Sequence, residues 1–260
     1  MKCRKIIEII EKKYSPSAAL DFDNVGLLAG NTEKEVKRIY LALDATTEVI
    51  QHAAEWKADM LLTHHPLIFT PLKRVTNEDF VGRRVMELIQ NDISYYAMHT
   101  NYDVLGMAKL IEGVLGLKDA RTLDVTTETE DPEEGIGKIG ALFKEMRLRE
   151  CCEYVKQCLH LDSVRVFGDL DISVKQMAVS PGSGKSAIRP ALLKGADVLV
   201  TGDIGHHEGL DAWEQGLAII DAGHYGTEYL FMEDMKQYLL SHTKDVEFMT
   251  EPMRIPFRVI

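Results

Sequence analysis

The chain has 260 residues, with 30 Lys and Arg against 41 Asp and Glu, for a formal net charge of −11. At 45% apolar and 27% charged it can bury a core without staples. So acidic a chain lacks the basic face that nucleic acid needs and is repelled by an anionic membrane surface, and no apolar run approaches the roughly 18 residues that span a bilayer.

The first segment, MKCRKIIEII, has the basic start of an export signal. Glu8 interrupts its apolar run, and Glu11, Lys12 and Lys13 follow, so it reads as an amphipathic helix. Asp23-Asn24-Val25-Gly26 is ordinary turn chemistry. Residues 36–45 then read as a strand, 47–57 as a helix, and 58–65 as a buried strand ended by Pro66. A helix near 80–91 and a strand at 93–100 complete a pattern of parallel crossovers. Residues 124–134 are acidic and read as an exposed loop. The glycines of 135–142 suit a tight turn or a close ligand approach. A helix and a strand fall within 147–170. Strands at 175–180, 196–203 and 216–224 follow, with helices at 186–194 and from 225 to about 241.

The later run repeats the earlier one. At an offset of 138, Ala58, Asp59, Leu61 and Thr63 fall on Ala196, Asp197, Leu199 and Thr201. At an offset of 125, His99 and Asp103 fall on His224 and Glu228. The expected architecture is therefore α/β: two similar lobes related by a pseudo-twofold duplication, with a site in the cleft between them. Residues 1–125 would form the first lobe, with part of the C-terminal region packing back on it. Residues 126–170 would connect, and 171–260 would form the second lobe.

Three clusters carry most of the candidate chemistry. His64 and His65 end a buried strand, where the chain bends before Pro66 and both rings can reach one cavity. His99 and Asp103 follow the next strand. His224 and Glu228, four residues apart at the start of a helix, share one face. His64, His65, Asp103, His224 and Glu228 make three imidazoles and two carboxylates. That is too few for two separate cages but enough for two ions bridged by one carboxylate, best Glu228. Nitrogen and oxygen donors without sulfur suit Zn, Mn, Fe, Co or Ni. Two such ions leave a local positive charge that attracts an anionic small molecule even in an acidic protein, and paired ions activate water for hydrolysis.

A fourth cluster, Thr201 to Glu208, occupies in the second lobe the place of His64-His65. Asp203 and His207 are best read as rim groups for proton transfer or ligand support. Ser180-Pro181-Gly182-Ser183-Gly184-Lys185-Ser186 resembles a phosphate loop, but Val179 stands where that pattern needs its first glycine. Cys3, Cys151, Cys152 and Cys158 show no metal spacing, which points to free thiols in a reducing cytoplasm.

D-N-V-G-L-L at 23–28, L-L-T-H-H-P-L-I-F at 61–69, H-T-N-Y-D at 99–103, T-G-D-I-G-H-H-E at 201–208 and D-A-G-H-Y-G-T-E at 221–228 occur in this order. Together they resemble the GTP cyclohydrolase I type 2 homologues, the NIF-three-like family, in the short form without an inserted domain. The resemblance implies a dinuclear metal centre on the five residues above, with Glu228 bridging, and a ring-shaped homohexamer built from dimers. It also implies ring opening of GTP with release of formate, for which His207 or His99 would carry the proton. Many relatives have a lysine where this chain has Gly205. The alternative is a non-catalytic metal-handling protein that acts through protein partners. Five side chains on two ions leave positions open to water, as catalytic sites do, which favours the hydrolase.

Overall fold

The computed structural model describes residues 1–125 and 134–258. In chain order the first elements are α1 (Cys3–Lys13), β1 (Gly26–Ala29), β2 (Arg38–Ala42), α2 (Thr47–Glu55), β3 (Met60–Thr63), α3 (Phe80–Gln90) and β4 (Ser94–Ala97). The short α4 (Thr100–Tyr102) runs into a π-helical turn, Asp103–Met107, and then α5 (Ala108–Leu115). Next come β5 (Lys118–Asp124), β6 (Ile136–Arg147), α6 (Leu148–Cys158), β7 (Arg165–Phe167) and β8 (Ser173–Ser183). The chain ends with α7 (Ile188–Leu193), β9 (Val198–Gly202), α8 (His206–Glu214), β10 (Ala218–Asp221), α9 (His224–Glu228), α10 (Leu230–His242) and β11 (Glu247–Thr250). Among the described residues no helix is long and apolar enough to cross a membrane.

The chain folds as two compact units. One is Met1–Tyr102 with Tyr229–Arg254; the other is Asp103–Glu228 with the residues from Ile255. The first unit holds a five-stranded sheet in the order β1-β4-β3-β2-β11. β4, β3, β2 and β11 run parallel, and β1 pairs antiparallel on the edge. All four residues of β3 and of β4 are buried, as expected of strands covered on both faces. Tyr40, Leu61 and Tyr95 pack against Val49, Ile50 and Ala53 of α2 and Leu88 of α3 in one core. Cys3, Ile6 and Ile10 line the buried stripe of α1, so the N-terminal segment is an amphipathic helix.

The second unit holds a six-stranded sheet, β5-β6-β8-β9-β10-β7, in which β8, β9 and β10 are parallel. Ile139, Ala178, Leu199 and Ile219 form its core with Ala191 of α7 and Ala212 of α8.

The duplication is visible in hydrogen bonds. Asp59 Oδ2 accepts from the backbone N–H groups of Lys37 and Arg38, at 2.8 and 2.9 Å. Asp197 Oδ2 accepts from those of Lys175 and Gln176, at 2.8 and 2.7 Å. The registers agree as well: Ile39 pairs with Met60, and Met177 with Val198. The edge order β1-β4-β3-β2 returns as β7-β10-β9-β8, each with its antiparallel outer strand.

Some expectations need correction. The first unit ends at Tyr102, and 126–170 does not serve as a connector. β6, α6 and β7 belong to the second unit, where the edge pair β5–β6 widens the sheet. The expected bounds 1–125, 126–170 and 171–260 therefore differ from the observed ones; the part of the C-terminal region expected to pack back on the first lobe is 229–254. The glycine-rich stretch from 135 is no turn; most of it lies in strand β6. At Gly137, with φ +72°, a Cβ would lie 2.6 Å from the Val179 carbonyl oxygen, so the close approach is made by a neighbouring strand and not by a ligand. The helix expected from 225 to 241 is split at Tyr229 into α9 and α10. Most of the acidic loop expected at 124–134 lies outside the described residues.

Candidate metal centre

In the first unit the candidate imidazoles gather at the C-terminal ends of parallel strands. His64 and His65 follow β3, and His99 follows β4. Their ring centroids lie 4.9 Å (His64–His65), 5.4 Å (His64–His99) and 5.7 Å (His65–His99) apart. His64 is fully buried between its neighbours and Phe231, whose ring lies 5.2 Å away.

The rings of His65 and His99 are held by carboxylates. His65 Nδ1 lies 2.8 Å from Asp44 Oδ1, and His99 Nδ1 lies 2.8 Å from Asp23 Oδ1. An ionised carboxylate only accepts, so Nδ1 carries a proton in each ring. Asp23 also accepts from the backbone N–H of Thr100 at 2.9 Å and from its hydroxyl. Burial of Asp23 works to raise its pKa. The bonds from His99 and Thr100 and the His99 charge outweigh it, and the carboxyl is held well below the usual carboxylate range.

In the second unit His224 opens α9, and Glu228 lies one turn on. His224 Nδ1 lies 2.7 Å from Asp203 Oδ2, and its Nε2 lies 3.1 Å from Glu228 Oε2. Asp203 sits in the left-handed region at φ +57°, unusual for a residue other than glycine and a mark of functional sites. Glu228 is buried against the C-terminal end of β8. A Cβ on Gly182 (φ +72°) would lie 2.2 Å from Glu228 Oε1 and 3.5 Å from His224 Nε2. The Gly182 N–H is fixed by Thr227 Oγ1 at 2.9 Å. The sequence that imitates a phosphate loop therefore makes room for a carboxylate. Asp103 begins the π-helical turn directly after Tyr102, whose hydroxyl donates to Asp234 at 2.7 Å. Single π turns inside helices recur at functional sites.

Each unit thus gathers candidate metal donors of its own: His64 and His65 in the first, His224 and Glu228 in the second. The donor chemistry fits a divalent cation of intermediate softness, and the carboxylates behind His65 and His224 are the partners that metal-bound histidines regularly keep.

Of the other expected residues, Asp203 supports His224, and His99 stands among the histidines of its own unit. His207 is exposed in the first turn of α8, with its ring 5.1 Å from His206. Glu208 bonds Lys185 at 2.8 Å. A Cβ on Gly205 would meet only Glu208 Oε2, the tip of a flexible side chain, at 2.2 Å, and with φ −72° the backbone there does not call for glycine. Asp44, Asp23 and Gly182 were not marked as site residues by sequence. For the carboxylates, the available signal was an acid at the end of one strand opposite a histidine at the end of another.

A family model described as Duf34/NIF3 (NGG1p interacting factor 3) matches residues 1–256. A Clostridium perfringens protein named GTP cyclohydrolase 1 type 2 homolog is 38% identical, with all of both chains covered. A Methanocaldococcus jannaschii protein of the same name is 35% identical over 93% of this chain and 96% of its own. The crystal structure of a Bacillus cereus protein related to NIF3 superposes with a TM-score of 0.91 at 26% identity, covering 100% of this chain and 99% of that one. Reduced HcgD from Methanocaldococcus jannaschii superposes at 0.82 with 32% identity, covering 96% and 97%. By the match of the family model to nearly the whole chain and by these identities, this chain belongs to the Duf34/NIF3 family.

Proposed function

We propose that the protein binds two divalent ions through His64, His65, Asp103, His224 and Glu228, with Glu228 bridging, and hydrolyses a nucleotide or phosphorylated small molecule. The observation that carries this reading is the pair of brackets His65–Asp44 and His224–Asp203, which fix each ring by its Nδ1; the Nε2 of His224 faces Glu228 at 3.1 Å. Ring opening of GTP with release of formate is the specific reaction to test, because the curated relatives carry that name.

Bound ions would act as Lewis acids toward the bond under attack. The chain's own residues then have separate tasks. His99, with Nδ1–H tied to the charged Asp23, presents Nε2 as the proton carrier, and Asp23 stabilises the imidazolium that results. Asp203 and Asp44 fix ring orientation. His207, exposed on α8, is the second candidate for proton transfer. The four cysteines are free, in keeping with a reducing cytoplasm. The assembly we propose is the ring-shaped homohexamer, a trimer of dimers, that the family resemblance implies.

The test is formate release from GTP by metal-reconstituted protein, with Glu228→Ala alongside. Formate from the wild type and not from the variant supports the reading. Full metal loading of the wild type with no formate from either chain rejects the GTP reaction and favours the metal-handling alternative.

A further inference from the structure

The first unit contains a cavity of about 350 Å³ whose wall includes His65, Asp44, Phe69, Phe80 and Arg84. That volume lies in the usual range of small-molecule pockets. Arg84 is the cation of interest. It projects from the first turns of α3, its Nε donates to Thr47 Oγ1 at 3.1 Å, and its guanidinium lies 5.0 Å over the Phe80 ring. Among the described residues no carboxylate oxygen comes within 4 Å of it. Burial lowers its pKa, partly offset by the charge of Asp44. Asp44, the carboxylate in the same wall, is turned to His65 Nδ1 at 2.8 Å. A partly buried guanidinium without an ion-pair partner is expensive to keep.

The aromatic walls are also open to solvent. Phe69 is 47% and Phe80 57% exposed, although both are large and apolar. Rings that flank a pocket beside a planar guanidinium suit a flat guest.

A second cavity makes the contrast. It lies in the other unit, has about 540 Å³, and also has an arginine in its wall. There Arg165 is already engaged by the Asp221 carboxylate and the Ile204 carbonyl oxygen. Its guanidinium is held by a carboxylate within the chain, whereas that of Arg84 is held only through Nε, by the Thr47 hydroxyl.

We infer that the Arg84 cavity is a binding subsite for a planar aromatic group that carries a phosphate, with Arg84 gripping the phosphate and Phe69 and Phe80 flanking the ring. The planar fork of arginine matches phosphate geometry better than a lysine would. The inference rests on the proposed hydrolase only in placing such a ligand beside His65, where the reaction would occur. The ligand contact itself needs no metal.

The test is calorimetric titration of the full chain, as purified and after chelation, with GMP, guanosine and inorganic phosphate. We expect GMP to bind both forms, and guanosine and phosphate to bind each at least tenfold more weakly. Arg84→Met should reduce GMP affinity at least tenfold, to the guanosine level, and Arg84→Lys should recover part of it. Phe80→Leu should weaken GMP and guanosine alike but leave phosphate unchanged, which decides the matter if Arg84→Met proves unstable on heating. Equal binding of GMP and guanosine, wild-type GMP affinity in Arg84→Met, or GMP binding that vanishes on chelation would each overturn the subsite. Arg84-dependent GMP binding without formate release would sustain the subsite and reject the GTP reaction.

Discussion

Replacement of Gly182 by alanine puts the new methyl group 2.2 Å from Glu228 Oε1. Ordinary contact begins near 3.4 Å, so the carboxylate oxygen must retreat by about 1 Å. Oε1 is the tip of a flexible side chain, and it yields before the backbone does. The fold then bears mainly the left-handed penalty of a Cβ at φ +72°, on the order of 1 kcal/mol. That corresponds to a fall of about 2–4 °C in the unfolding midpoint. The metal site bears much more. A metal site tolerates displacements of about 0.5 Å, and loss of ligand support typically costs about 10–100-fold in affinity. The assay is Zn affinity by competition with a chromophoric chelator, with thermal unfolding of the chelated protein in parallel. Unchanged Zn affinity in Gly182→Ala would refute the placement of Glu228 as a ligand under the end of β8. A fall of more than about 10 °C in the chelated form would show that the backbone yields instead.

Asp203→Gly should act in two directions: it relieves a left-handed residue, so stability holds or rises by up to about 1 kcal/mol, while metal affinity falls about 10–100-fold with the loss of the His224 bracket. Asp44→Ala should give a similar loss through His65, and chelator competition reads both. The pKa of Asp23 is depressed in the folded chain, so its contribution is present above its ordinary value of 3.8 and lost as pH falls through the depressed one. Asp23→Asn should therefore cost about 2 kcal/mol at neutral pH and flatten the acid limb of a denaturant-stability profile; an unaltered limb would reject that assignment. Burial pushes the Cys151 thiol up to about 12 and that of Cys152 up to about 11, and it also raises Cys3. A thiol reagent at pH 8 should therefore label the partly exposed Cys158 first and the other three only on unfolding.

The repeated Ala-Asp-x-Leu-x-Thr run was legible because it encodes two constraints at once. The apolar residues must be buried on both faces of a central parallel strand, and the aspartate must cap the N–H groups at the start of its neighbour. The histidines after the strands were legible because polar residues at the end of a buried run need a reason to be there. Asp44 and Asp23 were harder to see. Their partners lie 21 and 76 residues away, and only the sheet order brings them together. Gly137 misled for a physical reason: glycine freedom serves a turn, a ligand or a close strand crossing equally well, and the neighbouring carbonyl decides. Arg84 carried no local signal, because an arginine in an amphipathic helix ordinarily faces water.

The paired aspartates have a wider consequence. Asp59 and Asp197 each stand just before the first residue of a central strand, whereas His64, His65 and Asp203 stand just past the far end. A slip of one residue would turn every side chain of such a strand to the other face, and the aspartate opposes that slip from the end remote from the chemistry. Alignment and reactivity are thus written at opposite termini of the same few residues. After the ancestral half was copied, the two sets of strand ends could diverge, one into His-His-Pro and the other into Gly-Asp-Ile-Gly-His-His-Glu, without renegotiating the framework that presents them.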